Sequence, residues 1–389
     1  MRLAFVGNFL NYGSSLITIN TAIVYLLAEL EETDCIDVYC HLPNDRMEED
    51  YVPDKVNIFP IYDSKRPLST LNLYVVNWKK YDSVVFNLLP TTFGRSSIAN
   101  LIGLTAPTVL SKLGNKNIKI IYHNSTITND FRKLGYNSSK DKIRSLVLSW
   151  VEKLMFQTVP TFFPVSIYVD LVRHKIKGAK VNYINLRYFE GLTTIFINRK
   201  NGVESIETSS KPCNEKVLLL HGYWGPQKNL ELALSSLKKI RDEGIAFHLI
   251  LSGKVNSNFQ SYNDEFKDVV EKYSSIINER IEYVTEKDIM WLFLKTDMVI
   301  IPYNTPGGHS GVMETAITFN KDVLCISHPE YEEQAKGIAN ICLTSPEDFF
   351  VKLKSYILSA ELRSEDRDLM LALRIRFAKK SMLNFIRGM

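Results

Sequence analysis

The sequence predicts an α/β fold with two Rossmann-like domains, each a doubly wound parallel sheet, facing an interdomain cleft. Three observations support this prediction. The chain has 389 residues, which is more than one hydrophobic core usually serves. Short apolar runs alternate with helical patterns along both halves. A polar segment without periodicity, residues 198–216, separates the halves. We therefore expect one domain over 1–198, a second over 199–370 and a last helix in 371–389.

The first half alternates strands with helices. Strands are predicted at RLAFVGN, IDVYCHLP, YDSVVFNLLP, NIKIIYHNS, TFFPVS and KVNYINL. Helices are predicted between them at LITINTAIVYLLAELEE, SSIANLIGLTAPTVLSKL, KIRSLVLSWVEKLMFQTV and IYVDLVRHKI. Because the crossovers of such units are right-handed, the strands should form a parallel sheet with helices on both faces.

The second half repeats the pattern. Strands are predicted at EKVLLLHGYWG, AFHLILSGK, RIEYVTEKD, DMVIIPYN and KDVLCISHP. Helices are predicted at NLELALSSLKKIRDEG, YNDEFKDVVEKYSSII and IMWLFLKT, and after the glycine-rich stretch PYNTPGGHSG.

Composition excludes several classes of protein. Apolar residues make up 45% of the chain and the net charge is only +4, so we expect no nucleic-acid partner, although anionic small molecules or a lipid surface suit this charge. The five cysteines form no CxxC pair, and MRLAFVGNFL does not resemble a signal peptide. No apolar run approaches about 20 residues. We expect a cytoplasmic protein without a bound metal, because no HxH, HExxH or Cys/His cluster occurs.

Candidate binding residues follow the predicted strands, where open parallel sheets bind their ligands. These strand ends are glycine-rich, polar or cationic: Gly7-Asn8, Gly13-Ser14, His123-Asn124-Ser125, Gly222 to Asn229, Gly253-Lys254 and Pro306 to Glu314. Such a composition in both halves predicts a shared site for an anionic ligand.

The stretch Gly307-Gly308-His309-Ser310-Gly311-Val312 precedes a predicted helix. The first helical N–H groups have no intrahelical partner and suit a phosphate. Ser310 could cap the helix or donate to a phosphate oxygen, and His309 could reach the ligand. Glu314 would repel phosphate but suits vicinal hydroxyls, as on a ribose. The plain alternative is a capped helix with a favourable first-turn carboxylate.

Two cationic or titratable residues complete the candidate site. Lys228 lies before an amphipathic helix and could hold a diphosphate, or it could be a solvated lysine next to an Asn229 cap. His123 ends an apolar strand and could act near neutral pH, or it could be structural. GxGxxG, P-loop and GxSxG motifs are absent.

These residues resemble the retaining GT-B glycosyltransferases of the large family-four group. The resemblance rests on GYWGPQKNLELALSSL, LILSGK, KTDMVIIPY and SGVMETAITFNKDVLCIS in the second half, and on YHNS and FFPVSIYVDLV in the first. It implies that Lys228 holds the donor diphosphate, that Glu314 binds ribose hydroxyls and that His123 contacts the transferred sugar. Gly13, Gly222, Gly253 and residues Gly308 to Val312 would also bind the donor.

The sequence departs from the family at three places. The family's arginine falls on Tyr223, its first glutamate falls on Pro306, and only Asn185 remains of an Asn-Gly-Val-Asp turn. Glu330 roughly matches a position near the donor loop. His309 or a backbone N–H could replace the lost glutamate.

The resemblance implies a metal-independent, retaining hexosyltransferase that needs no cofactor and uses a nucleotide-diphosphate sugar as its donor. The acceptor, a glycan, a lipid-linked molecule or a protein, should dock on the first domain near Tyr12, Arg95 and the loop 131–144. That basic loop could touch an anionic membrane, and the last helix should cross back to the first domain. Two alternatives are a non-catalytic GT-B scaffold that binds a nucleotide sugar or a partner glycosyltransferase, and a sugar-nucleotide epimerase.

Overall fold

A computed structural model describes residues 1–9, 15–42, 52–63, 65–94, 96–115, 117–128, 139–185, 215–282, 286–305, 308–359 and 379–387. The chain divides into two compact units. The first unit contains described residues 1–128, 139–185 and 379–387, and the second contains described residues 215–359. The predicted linker falls mostly on residues 198–214, which lie outside the described residues.

The first unit is built on a seven-stranded sheet with the order β3-β2-β1-β4-β5-β6-β7. Every strand pair in it is parallel. The strands are β1 (Arg2–Val6), β2 (Cys35–His41), β3 (Val56–Tyr62), β4 (Ser83–Leu88), β5 (Ile118–Tyr122), β6 (Thr161–Phe163) and β7 (Val181–Tyr183). The order reverses between β1 and β4, as in a doubly wound Rossmann sheet.

Helices accompany this sheet. They are α1 (Ser15–Ala28), α2 (Ser97–Lys112), α3 (Ser139–Thr158) and α4 (Ser166–Lys175), with short 3₁₀ helices at Pro67–Tyr74 and Trp78–Lys80. The central strand β4 is buried along its whole length, which explains its nearly continuous apolar sequence.

The second unit is built on a six-stranded parallel sheet with the order β10-β9-β8-β11-β12-β13. Its strands are β8 (Val217–His221), β9 (His248–Ser252), β10 (Glu279–Ile281), β11 (Met298–Ile301), β12 (Asp322–Ile326) and β13 (Ile341–Thr344). The order reverses between β8 and β11, so this unit is also doubly wound. The sequence correctly predicted this architecture for both halves.

The helices of the second unit are α5 (Leu230–Asp242), α6 (Asn263–Lys272), α7 (Glu286–Lys295), α8 (Gly311–Thr318), α9 (Pro329–Ala335) and α10 (Phe349–Leu358). Short 3₁₀ helices lie at Pro226–Lys228, Ser257–Tyr262 and Ser274–Ile276. None of the described helices is both long and apolar enough to span a membrane.

The last helix, α11 (379–387), packs against the first unit. Its Phe385 ring lies edge-on to Phe162, with 4.8 Å between the centroids. The Lys119 ammonium donates to the carbonyls of Phe385 and Ile386 at the end of this helix. The apolar face of α11 is therefore buried in the protein.

Candidate functional site

Lys228 lies at the point where the strand order of the second sheet reverses. Gly222 follows β8, Tyr303 follows β11, and these strands are neighbours at that point. The Lys228 Nζ lies 3.4 Å from the centroid of the Tyr303 ring, so the ammonium rests on an aromatic face. In open α/β sheets this is the usual place for a ligand.

Burial dominates the protonation of this cluster. It lowers the pKa of Lys228 to about 7, because the charged ammonium loses hydration, while the nearby Cys325 slightly favours the charge. The pKa of His221 falls to about 4, first through burial and then through repulsion by Lys228. The site therefore favours whatever anion can restore the charge of Lys228.

Two glycines let the backbone approach this cluster. Gly222 has φ +146°, and a Cβ there would lie 3.5 Å from Tyr303 Oη and 3.8 Å from Val312 Cγ2. Gly253 has φ +99°, and a Cβ there would lie 1.9 Å from the Gly222 carbonyl oxygen. The structure thus gives Gly253 a packing role beneath Gly222. Lys228 and Val312 flank the same glycine turn, so Lys228 and the start of α8 lie on one side of the unit.

The turn before α8 is held by a side chain that the sequence did not single out. Gln334, on α9, accepts a hydrogen bond from the Ser310 N–H at 2.8 Å and donates to the Ser310 carbonyl at 2.9 Å. Its amide also donates to Glu314 Oε1 at 2.7 Å. Gln334 therefore fixes both the turn and the carboxylate.

Ser310 acts as the N-cap of α8, because its hydroxyl accepts from the Met313 N–H at 3.3 Å. The structure thus shows the cap, which leaves the hydroxyl proton of Ser310 able to donate. Gln334 accepts from the Ser310 amide and Ser310 Oγ accepts from the Met313 amide, so Gly311 and Val312 carry the other amides at the start of α8.

Several buried polar atoms of the second unit lack hydrogen-bond partners. Within the described part of the chain, Gln227 Oε1, Tyr303 Oη and both ring nitrogens of His309 make no hydrogen bond. Burial also lowers the pKa of His309 to about 4, so its ring is neutral at pH 7. A buried polar atom without a partner costs about 1–3 kcal/mol. These atoms are therefore open to hydrogen bonds with a ligand or with water.

In the first unit, His123 belongs to a network at the carboxyl ends of β1, β4 and β5. Asn20 Nδ2 donates to the Asn8 carbonyl at 2.5 Å, and Asn20 Oδ1 accepts from Asn87 Nδ2. Asn87 Oδ1 therefore faces His123 Nε2, at 2.7 Å. Because a carbonyl oxygen can only accept, Nε2 carries a proton.

Glu152 anchors the loop that follows His123. This carboxylate on α3 is fully buried and accepts from Tyr122 Oη and Ser125 Oγ, both at 2.8 Å. It also accepts from the amide and the hydroxyl of Thr126. Burial raises the pKa of Glu152, although its hydrogen bonds favour the charged form and oppose that effect.

Sequence reasoning missed Gln334, Asn20, Asn87 and Glu152. Each of them acts on a predicted site residue through side-chain hydrogen bonds. Asn20 and Asn87 stand in apolar runs, which marks them as buried but not as part of a site, whereas Gln334 and Glu152 each stand beside a charged residue. Of the predicted residues, Gly13, Tyr12, Arg95, Pro306 and Gly307 lie outside the described residues, as do residues 131–138 of the proposed acceptor loop. Tyr223, at the position of the family's arginine, is partly exposed. Among the described residues there is no cluster of His, Cys, Asp and Glu that could hold a metal.

No protein-family model matches this chain, and no curated protein matches its sequence. Several solved structures, however, match the structure of this chain. The α,α-trehalose-phosphate synthase of Burkholderia xenovorans, solved with glucose-6-phosphate, aligns with a TM-score of 0.65 and 11% identity over 100% of this chain and 99% of that one. Anabaena HepE, solved with UDP-glucose, aligns with a TM-score of 0.61 and 12% identity over 100% of both chains.

A third similar structure is WaaG, a glycosyltransferase involved in lipopolysaccharide biosynthesis. It aligns with a TM-score of 0.56 and 12% identity over 98% of this chain and 94% of WaaG. Identities this low establish fold rather than activity. The resemblance read from the sequence is confirmed at that level: the chain has the GT-B fold of these glycosyltransferases.

Proposed function

We propose that this protein is a glycosyltransferase that moves a hexosyl group from a nucleotide-diphosphate sugar to an acceptor hydroxyl, with retention and without a metal. The observation that carries the proposal is a set of unpartnered polar atoms in the second unit, two of which lie beside Lys228. Gln227 precedes Lys228 in the chain, and the Tyr303 ring lies under its ammonium, whose pKa is about 7. Both ring nitrogens of His309, just before α8, also lack partners. An anionic ligand rich in hydroxyls would satisfy all of them.

Each residue has a role in the proposed reaction. The Lys228 ammonium and the amides of Gly311 and Val312 stabilise the charge that develops on the departing diphosphate. Glu314, oriented by Gln334, accepts hydrogen bonds from ribose hydroxyls. Pro306 stands where the family has its first glutamate, and His309 takes over that glutamate's contact with the sugar.

The bond changes balance without a cofactor. The bond between the anomeric carbon and the phosphate oxygen breaks, and the acceptor oxygen bonds to the same face of the sugar. The acceptor proton passes to the leaving phosphate oxygen. His123, held with Nε2 protonated, is proposed to orient the transferred sugar.

The test is calorimetric titration of the full chain with UDP, ADP, GDP and UDP-glucose, a donor chosen because HepE was solved with it. Lys228→Met should weaken the best ligand by about tenfold or more, which corresponds to about 1.4 kcal/mol. Glu314→Gln should weaken nucleotides that carry ribose hydroxyls. Lys238→Met, which removes an exposed lysine of α5, is the matched control and should bind normally.

Two results would contradict the proposal. One is normal binding in both site variants, and the other is a loss of affinity in Lys238→Met as large as the loss in Lys228→Met. Incubation of the bound donor with candidate acceptors, with and without EDTA, then tests transfer and metal independence. The anomeric configuration of the product, read by NMR, tests retention.

A second candidate is a non-catalytic scaffold that binds a nucleotide sugar or a partner glycosyltransferase. Tyr223 and Pro306 favour it, because they remove a diphosphate ligand and a sugar contact from the family pattern. This alternative would be identified by tight donor binding that depends on Lys228, together with no transfer to any acceptor and no hydrolysis of the donor.

We also propose a cytoplasmic location. The four described cysteines, Cys35, Cys40, Cys325 and Cys342, are free thiols, which suits a reducing compartment.

A further inference from the structure

Helix α3 exposes a continuous apolar stripe on its outer face. Ile143 is 67% exposed, Leu146 71% and Trp150 77%, and Val147 and Leu154 are also exposed. Their spacing of three and four residues places them on one side of the helix over three turns. A tryptophan exposed to this extent at the centre of such a stripe is unusual on a surface that has no partner.

The stripe is not a displaced core face, because the opposite side of α3 already packs inward. Leu148, Met155 and Phe156 are buried in the core of the first unit, and Glu152 makes the hydrogen bonds described above. The inner face of α3 therefore already packs against the core of the first unit. Turning the helix would expose these residues and the Glu152 carboxylate network.

Basic residues border the stripe. At 100° per residue, Lys142 and Lys153 lie along one margin and Arg144 along the other. Lys142 and Lys153 are exposed. The one acid of this helix whose side chain is described, Glu152, is buried. An apolar centre with cationic margins and no exposed described acid complements a surface that is apolar inside and anionic outside.

We propose that the outer face of α3 docks this protein on an anionic lipid bilayer. Trp150, Leu146 and Ile143 enter the boundary between headgroups and acyl chains, while Lys142, Lys153 and Arg144 contact lipid phosphates. A protein partner or a second copy of the chain would have to supply acidic groups around an apolar patch. A bilayer supplies both over an unlimited area. The inference concerns the first unit alone and does not depend on the proposed transfer reaction.

The test is cosedimentation of the full chain with phosphatidylcholine vesicles and with vesicles that also contain phosphatidylglycerol. We expect binding to the anionic vesicles that weakens at high salt, because exposed charges are screened. Trp150→Ser combined with Leu146→Ser should reduce binding by about tenfold or more. Lys142→Gln with Lys153→Gln should reduce binding to anionic vesicles only.

Matched controls come from the second unit. Val351 and Leu358 are exposed aliphatic residues of α10, and Lys238 and Lys239 are cations of α5. Val351→Ser with Leu358→Ser, and Lys238→Gln with Lys239→Gln, should leave vesicle binding unchanged. Circular dichroism and thermal unfolding should be normal in every variant, which excludes unfolding as the cause of a loss.

Fluorescence locates the contact. Trp78 and Trp224 are buried and Trp291 is half-buried, so Trp150 is the tryptophan whose surroundings lipid should change most. Its emission should shift to shorter wavelength on anionic vesicles, and Trp150→Phe should bind without that shift.

Four outcomes would overturn the proposal. They are no binding to anionic vesicles, equal losses in the α10 or α5 controls, binding in which the emission of Trp150 is unchanged, and a dimer in light scattering that Trp150→Ser converts to a monomer. The last would assign the stripe to contact between two copies of the chain.

Discussion

Lys228 is a cation placed where its own charge is disfavoured. A lysine over an aromatic ring gains some attraction, but burial outweighs it and brings the pKa to about 7. A bound diphosphate would add two or more negative charges within a few ångströms and raise that pKa. The unliganded residue is thus held in a state that a ligand can change.

We therefore predict that nucleotide binding takes up a proton at Lys228. Below about pH 7 the ammonium is already charged, so affinity should vary little with pH. Above pH 7 the unliganded lysine is neutral and must be protonated on binding, so affinity should fall as pH rises. Calorimetry at pH 8 in buffers of different ionisation enthalpy measures the uptake.

Lys228→Arg is the control for this prediction, because a guanidinium stays charged at any pH used. It should bind without proton uptake. An affinity of the wild type that is constant from pH 7 to 9 would contradict the assignment of Lys228 to the anion site.

The imidazole of His123 is held in one tautomer by a relay that begins at a backbone carbonyl. We predict that NMR of histidine-labelled protein finds the proton on Nε2, with the exposed His174 as the internal reference. Asn87→Leu removes the acceptor and should abolish that fixed preference. A wild-type ring with a proton on Nδ1 and none on Nε2 would rule out the relay.

How much of the site is predictable depends on what each residue does. Lys228, Ser310 and Glu314 follow strands and glycine turns, and local sequence marks those places. Asn20, Asn87 and Gln334 are ordinary amides whose importance comes from partners distant in the chain. Glu152 has the sequence context of a surface acid on an amphipathic helix, and only the packed structure places it inside.

At the scale of elements, α9 sets the geometry of α8. A single side chain, Gln334, makes three hydrogen bonds to Ser310 and Glu314. The helix that carries it begins at Pro329 and has seven residues, which is too short for a periodic apolar pattern. The sequence therefore predicted the strand before it but not the helix.

We predict that Gln334→Leu, which roughly keeps the side-chain volume, leaves the Ser310 amide and carbonyl unpaired and costs about 1–3 kcal/mol of stability. Hydrogen exchange should increase over residues 308–318, and affinity for ribonucleotides should fall because Glu314 loses its orienting donor. Lys336→Leu, at the exposed end of α9, is the control. Unchanged hydrogen exchange in Gln334→Leu would show that the turn holds its shape without the hydrogen bonds of Gln334.

Strand prediction succeeded where strands are buried and failed at an edge. β4 and β8 are runs of apolar residues because helices cover both of their faces. β3 and β13 were not among the predicted strands, and each lies at the edge of its sheet. In β3, the Phe59 side chain is 39% exposed, and Pro60 is a residue that edge positions tolerate.

At the scale of the whole molecule, the first unit is completed by α11, which follows the whole second unit along the chain. Phe385 is nearly buried and packs on Phe162 of β6, while Lys119 of β5 holds the last carbonyls of α11. Burial lowers the pKa of Lys119 to about 8, which fits an ammonium that hydrogen-bonds to backbone oxygens in partial isolation from water.

We predict that Phe385→Ala destabilises the first unit by about 3 kcal/mol, as expected for a large aromatic removed from a core. Hydrogen exchange should rise in β5 to β7 and stay unchanged in residues 215–282. Lys380→Ala, an exposed position on the same helix, should have no effect. A loss of protection spread evenly over both units would argue against this assignment.

The position of α11 also bears on how the protein is made. The ribosome releases the chain from its amino end, so β1 to β7 leave it long before residues 379–387 exist. A domain normally folds as soon as its own segment has emerged. Here the earliest part must wait, with Phe162 uncovered, until residues 379–387 have been synthesised. Chaperone contact during synthesis should therefore concentrate on the half of the protein that is made first.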